Sequence, residues 1–116
     1  MPFRRGDIAL VLFPNSDLRT TEKRPALVVQ ADNLNTGLPQ LIVAMITSNL
    51  SRASHPSRVF VSLASPEGRR AGLISDSVIL TDNLVTVLET EISHSLGVWL
   101  DMAAVERALC HTFDLR

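Results

Sequence analysis

One cysteine in 116 residues leaves no room for a disulfide framework. None is needed, because a chain of this length is the size of one ordinary domain and can bury a core without covalent staples. A single domain over residues 1–116 is therefore expected. A lone thiol fits a reducing cytoplasm, and Cys110 itself reads as a small buried hydrophobe. The first residues, Met-Pro-Phe-Arg-Arg-Gly-Asp, lack the apolar core of a signal peptide. No apolar run is longer than that of Leu41–Ile46, which is far short of the roughly 20 residues a membrane span needs. These absences lead us to expect a cytoplasmic protein with no membrane contact.

Familiar catalytic signatures are missing too. The three histidines, His55, His94 and His111, have no histidine or cysteine at metal-ligand spacing. There is no glycine-rich phosphate loop and no nucleophile elbow. No metal and no cofactor are expected. His94 and His111 read as surface or packing residues. His55 lies in the polar loop NLSRASHPS (Asn49–Ser57), beside Arg52, where it could touch a substrate.

The net charge of -1 gives no global basic footprint for duplex nucleic acid. The charge is unevenly spread, however. Residues 1–70 carry nine Lys/Arg against five Asp/Glu, which is +4; residues 71–116 carry two against seven, which is -5. All the cations but Lys23 are arginine, whose planar fork matches phosphate better than a lysine point charge does. A GC-rich genome would give the same bias, and composition does not separate the two.

Short apolar stretches recur between turn residues. Asp7–Phe13 is a first expected strand, stopped at Pro14-Asn15. Pro25–Gln30 (PALVVQ) is a second, and its unbroken apolar character suggests burial on both faces. Asn33–Pro39 is a loop by composition. Leu41–Ile46 is a third strand, and Arg58–Leu63 a fourth, closed by a turn at Ser65-Pro66-Glu67-Gly68. Gly72–Leu80 and Leu84–Leu88 are a fifth and a sixth, joined across Thr81-Asp82-Asn83. Only the last segment has helical period. Asp101 can cap it, and Met102, Val105, Ala108, Leu109 and Phe113 follow at three- and four-residue spacing, with Glu106 and Arg107 on the other side. Many short strands and one late helix argue for a mainly β fold, a small and strongly bent barrel with a C-terminal α-helix.

Two places could carry chemistry. In Arg19–Pro25 (RTTEKRP), Glu22, Lys23 and Arg24 sit where a polar loop enters a buried strand, a position suited to a phosphate clamp and equally to ordinary solvated charge. Thr47-Ser48-Asn49 follows the apolar strand LIVAMI. Hydroxyls there can bond a ligand phosphate or cap a turn through their own backbone.

Taken in order, Arg5-Gly6-Asp7-Ile8, Lys23-Arg24-Pro25-Ala26-Leu27-Val28-Val29-Gln30, Ile46-Thr47-Ser48-Asn49, Ser75-Asp76-Ser77-Val78 and Leu84-Val85-Thr86-Val87, followed by the capped helix, resemble the MazF/PemK toxins over essentially the whole chain. The resemblance implies an SH3-like β-barrel, a homodimer, a cognate antitoxin partner, and metal-independent, sequence-selective cutting of single-stranded RNA. It matches Arg24 to a catalytic arginine and Thr47 to the hydroxyl beside it. Asp76 matches an aspartate that some members use in catalysis; those members have an arginine two positions earlier, where this chain has Ile74. Glu22, Asp76 and His55 are the candidates for a general base. Arg19, Lys23, Ser48, Asn49, Arg52 and His55 are the candidates for RNA contact. Two other readings stay open: a toxin of the CcdB type acting on a protein target, and an inactive member with only a regulatory role.

Overall fold

The computed structural model describes residues 3–14, 17 and 19–116. It contains six strands and two helices: β1 (Asp7–Pro14), β2 (Thr21–Val28), β3 (Gln40–Thr47), β4 (Arg58–Val61), α1 (Pro66–Arg70), β5 (Ser77–Leu88), β6 (Ile92–Val98) and α2 (Met102–Phe113). The strands form one antiparallel sheet in the order β4-β5-β3-β2-β1-β6. The fold is mainly β with a C-terminal helix, as the alternation of short apolar runs and the late helical period indicate.

Connectivity forces the sheet to bend. β5 and β6 lie four positions apart in the order, about 19 Å in a flat sheet. Only the 3-10 turn Glu89–Glu91 joins them, a link that reaches at most roughly 14 Å. The sheet must therefore curl until its second and last strands approach. Among the described residues no ladder joins β4 to β6, so the curl is barrel-like without being a closed barrel.

Alternation along the central strands serves two cores. Ile8, Leu27, Ala44 and Ile46 face one cluster with Val61, Ile79, Trp99, Val105 and Ala108, under α2. Their neighbours Ala9, Val11, Ala26, Val28, Leu41 and Val43 face a second cluster with Val87 and Ile92. Ala26–Val28 is thus buried on both faces, as its unbroken apolar run suggests.

The helix starts where expected: the Asp101 Oδ1 accepts the Ala104 N–H at 3.2 Å. Val105 and Ala108 are buried, and Met102 and Leu109 pack against the same core. Phe113 departs from the stripe and is exposed. Cys110 is also exposed rather than buried. It lies on the solvent stripe with Ala103, Glu106 and Arg107 at helical spacing.

Four further expectations change. β2 begins at Thr21 rather than Pro25, so the charged segment belongs to the strand. The expected turn at Ser65–Gly68 is the start of α1. Ser65 is its N-cap, with Oγ accepting the Gly68 N–H at 2.9 Å, and Pro66 opens the helix. The fifth and sixth expected strands are one, β5. Thr81-Asp82-Asn83 is an irregularity within it, since Ala44 pairs with Leu84 while Met45 pairs with Leu80. This bulge holds other parts in place: the Thr81 Oγ1 donates to the Ser57 carbonyl at 2.6 Å and lies 2.8 Å from the Thr112 Oγ1 of α2. Finally, β6 was not anticipated. It is a polar edge strand with Ser93, His94 and Ser95 exposed. The stop expected at Pro14-Asn15 falls partly outside the described residues.

Candidate functional site

β2 changes character at Pro25. Ala26 and Leu27 pair with β1 on one side, where the Val28 carbonyl accepts the Gly6 N–H, and Ala26, Leu27 and Val28 pair with Met45, Ala44 and Val43 of β3 on the other. Pro25 has no N–H to give to a ladder, and from Thr21 to Pro25 the strand is paired only with β1. Where β3 parts from β2, a cleft of about 440 Å³ opens. Glu22, Lys23, Arg24 and Pro25 form one wall, Ile46, Thr47 and Ser48 another, and Leu73, Ile74, Ser75 and Ser77 the third.

Glu22 and Arg24 are two residues apart on an extended strand and share a face. The Arg24 Nη2 donates to the Glu22 Oε2 at 2.8 Å, and both side chains are about half exposed, at 51% and 52%. This contact occupies one corner of the guanidinium, which has five N–H donors in all. At the end of β3 the Thr47 Oγ1 accepts the Asn49 N–H at 3.1 Å. A hydroxyl that accepts one bond keeps its own O–H for donation. The cleft wall carries two cations, Lys23 and Arg24, against the one carboxylate of Glu22, so it favours an anion.

The structure brings Glu22, Lys23, Arg24, Thr47 and Ser48 to one cleft. The remaining candidates are not among its lining residues. The Asp76 Oδ1 accepts the Leu63 N–H at 2.8 Å, fixing the entry to β5. The Asn49 Oδ1 accepts the Ser51 N–H at 3.0 Å, closing a turn. Arg52 is exposed in the following loop, its carbonyl accepting the His55 N–H at 3.1 Å. The His55 Nδ1 accepts the Ser57 N–H at 3.1 Å, and its ring meets that of His111 edge to face at 6.0 Å. His55 thus faces α2. Arg19 donates its N–H to the Asp17 Oδ1 at 2.9 Å. The backbone N–H groups of Arg19 and Thr20 hold the Asp17 carboxyl below its usual range, and this turn leads into β2. Among the described residues no three His, Cys, Asp or Glu side chains gather as a metal-binding set.

Of the third wall, the sequence pattern marked Ser75 and Ser77 only as part of the family-like run around Asp76 and Ile74 only as a departure from it, and Leu73 carried no signal. A second cavity, of about 580 Å³, lies between the N-terminal residues Phe3 and Arg4 and the loop at Asn35–Pro39, and shares no lining residue with the first.

The comparisons with known proteins decide the family. Residues 4–113 match the model of the PemK-like, MazF-like toxins of type II toxin-antitoxin systems. The chain belongs to that family. Endoribonuclease MazF2 of Mycobacterium bovis and endoribonuclease MazF6 of Mycobacterium tuberculosis are each 33% identical to it over 107 residues, covering 90% of both chains. The solved toxin MazF-mt6 of Mycobacterium tuberculosis superposes with a TM-score of 0.73 at 23% identity, over 95% of this chain and 98% of its own. A mycobacterial endoribonuclease solved with its cognate antitoxin gives 0.73 at 20% identity, over 98% and 97%. The structural likenesses establish the MazF/PemK fold for this chain.

Proposed function

We propose that this MazF-type toxin is an endoribonuclease that cuts single-stranded RNA at the cleft between β2 and β3, without a metal ion. The observation that carries the reading is the meeting of Arg24, braced by Glu22, with Thr47 across one anion-favouring cleft. The curated relatives at 33% identity are named endoribonucleases.

The chemistry follows from the groups present. The 2′-hydroxyl oxygen bonds to the neighbouring phosphorus while its proton passes to water in the open cleft. The P–O5′ bond breaks, and the 5′-oxygen takes up a proton from solvent. The products are a 2′,3′-cyclic phosphate and a 5′-hydroxyl end. Negative charge gathers on the non-bridging oxygens during the transfer. A guanidinium that is charged at every working pH stabilises it, and the Thr47 O–H adds one hydrogen bond. Glu22 is the brace that aims Arg24. The need for a 2′-hydroxyl makes DNA a non-substrate.

The chain acts as a homodimer in the cytoplasm and is silenced by a cognate antitoxin. That partner carries an acidic, apolar segment that folds on binding and occupies the cleft. The test is direct: purified protein, mixed RNA, EDTA, and analysis of the ends. Cleavage with cyclic phosphate ends, absent in Arg24→Ala and absent on DNA, supports the reading. Intact RNA in the presence of folded protein overturns it. Growth arrest without RNA cleavage would move the assignment to a protein target.

A further inference from the structure

We propose that Ile74 is an apolar wedge that separates the two bases flanking the scissile phosphate, and so acts as a positioning residue for cleavage at Arg24 and Thr47. The inference rests on the RNA-cutting reading above and adds to it how the substrate is shaped.

Ile74 is 99% exposed, whereas among the described residues the next most exposed large hydrophobic, Leu115, is at 59%. It lines the cleft that holds Arg24 and Thr47. The backbone around it is tethered on both sides. Gly72 has φ +74°, and a Cβ there would come within 2.0 Å of the Leu96 carbonyl oxygen, so this turn lies flush on β6. Leu73 packs against the main core. Beyond Ile74, the Asp76 Oδ1 accepts the Leu63 N–H, and the Ser77 Oγ donates to the Ser75 carbonyl at 2.9 Å. A short tethered turn therefore presents one β-branched side chain, stiff at χ1, to solvent beside the phosphate clamp.

That geometry suits a task the polar residues cannot perform. In stacked RNA the 2′-oxygen is not in line with the P–O5′ bond, and attack needs the step between two bases to open. Aliphatic side chains driven between base steps unstack them in other nucleic-acid complexes. The phosphate held by Arg24 and Thr47 would place the adjoining base step against Ile74.

The experiment uses the full chain and an oligoribonucleotide with a single site, taken from wild-type cleavage of mixed RNA. A second oligonucleotide has an abasic ribonucleotide on the 3′ side of the scissile phosphate. Ile74→Ala should lower kcat on the intact oligonucleotide by about 10- to 100-fold, with KM and thermal unfolding nearly unchanged. Ile74→Leu should restore most of the rate. On the abasic oligonucleotide, wild type and Ile74→Ala should be equally fast, since there is no stack to open. Equal loss on both oligonucleotides, or no loss on either, overturns the wedge. So does unchanged cleavage with weakened antitoxin binding, which would make Ile74 an anchor for that partner. If the wild-type protein cuts no RNA at all, the underlying reading falls and the wedge falls with it.

Discussion

The two halves of β2 share a backbone and little else. Ala26–Val28 is buried, with Ala26 and Leu27 paired on both sides; Thr21–Arg24 is exposed and paired on one. The inner half sets where the outer half points. An arginine on a loop would have to be ordered when substrate arrives. Arg24 sits two residues from a fully buried alanine, on a strand already registered against Val11. Within eight residues, the outer half stays open to a ligand while the buried half holds its position.

The sharpest way to break this comparison is to change the two halves separately. Leu27→Ala removes a fully buried side chain and should lower unfolding free energy by about 2–5 kcal/mol in urea titration. Arg24→Ala should do the reverse. Its exposed position predicts a stability within about 0.5 kcal/mol of wild type, while kcat for RNA cleavage falls by about 10²–10³. Comparable stability losses in the two variants would show that the halves are not separable.

Smaller effects sharpen the roles inside the cleft. Thr47→Val removes the donor and the acceptor for the Asn49 N–H, and should slow cleavage by about fivefold, in line with the roughly 1 kcal/mol of one net hydrogen bond. Thr47→Ser should retain most of the rate. Glu22→Gln keeps an oxygen for Arg24, so a brace predicts a loss of only a few-fold and an unchanged pH–rate profile. If instead the acidic limb of kcat/KM disappears in that variant, Glu22 is the general base.

The smallest effect concerns the bulge in β5. The hydrogen bond from the Arg58 guanidinium, 3.1 Å from Asp82, holds that carboxyl below its usual range. A depressed folded-state pKa gives stability that is present above the unfolded value, about 3.9, and is lost as pH falls through the folded value. Asp82→Asn should therefore be slightly less stable than wild type at pH 7, and the gap should close in strong acid. Because Asp82 is partly exposed, water screens the pair, and the difference should stay below about 1 kcal/mol. A gap that widened in acid would contradict this account.

What was readable in the sequence follows from how each segment is buried. The central strands announced themselves because both their faces are in a core, which leaves long unbroken apolar runs. β6 did not, because an edge strand that exposes Ser93, His94 and Ser95 has no such run. β5 read as two strands because its bulge is made of polar residues, and Thr81-Asp82-Asn83 looks the same in a bulge as in a turn. Ser65-Pro66 read as a turn for a similar reason, since a helix start and a turn draw on the same residue types. In the cleft, the nearness of Arg24 to Thr47 agrees with the ordered resemblance to the toxin family. The part of Leu73 and Ile74 in the third wall left no such trace, because that turn reaches the cleft through tertiary packing against β6. The hydrogen bond from Leu63 to Asp76 left no local trace in the sequence either.

The pairing of β1 with β6 has a consequence in time. The Trp99 N–H bonds the Gly6 carbonyl, and Asp7 lies opposite Val98, so the first strand finds one of its two neighbours only after β2, β3, β4 and β5 have been made. Contacts this distant along the sequence are slow to form and come late. A ribosome part-way through this message holds the arginine and the threonine, but not the last strand that supports the Ile74 turn. A nuclease built this way is not completed until the ribosome has read through β6.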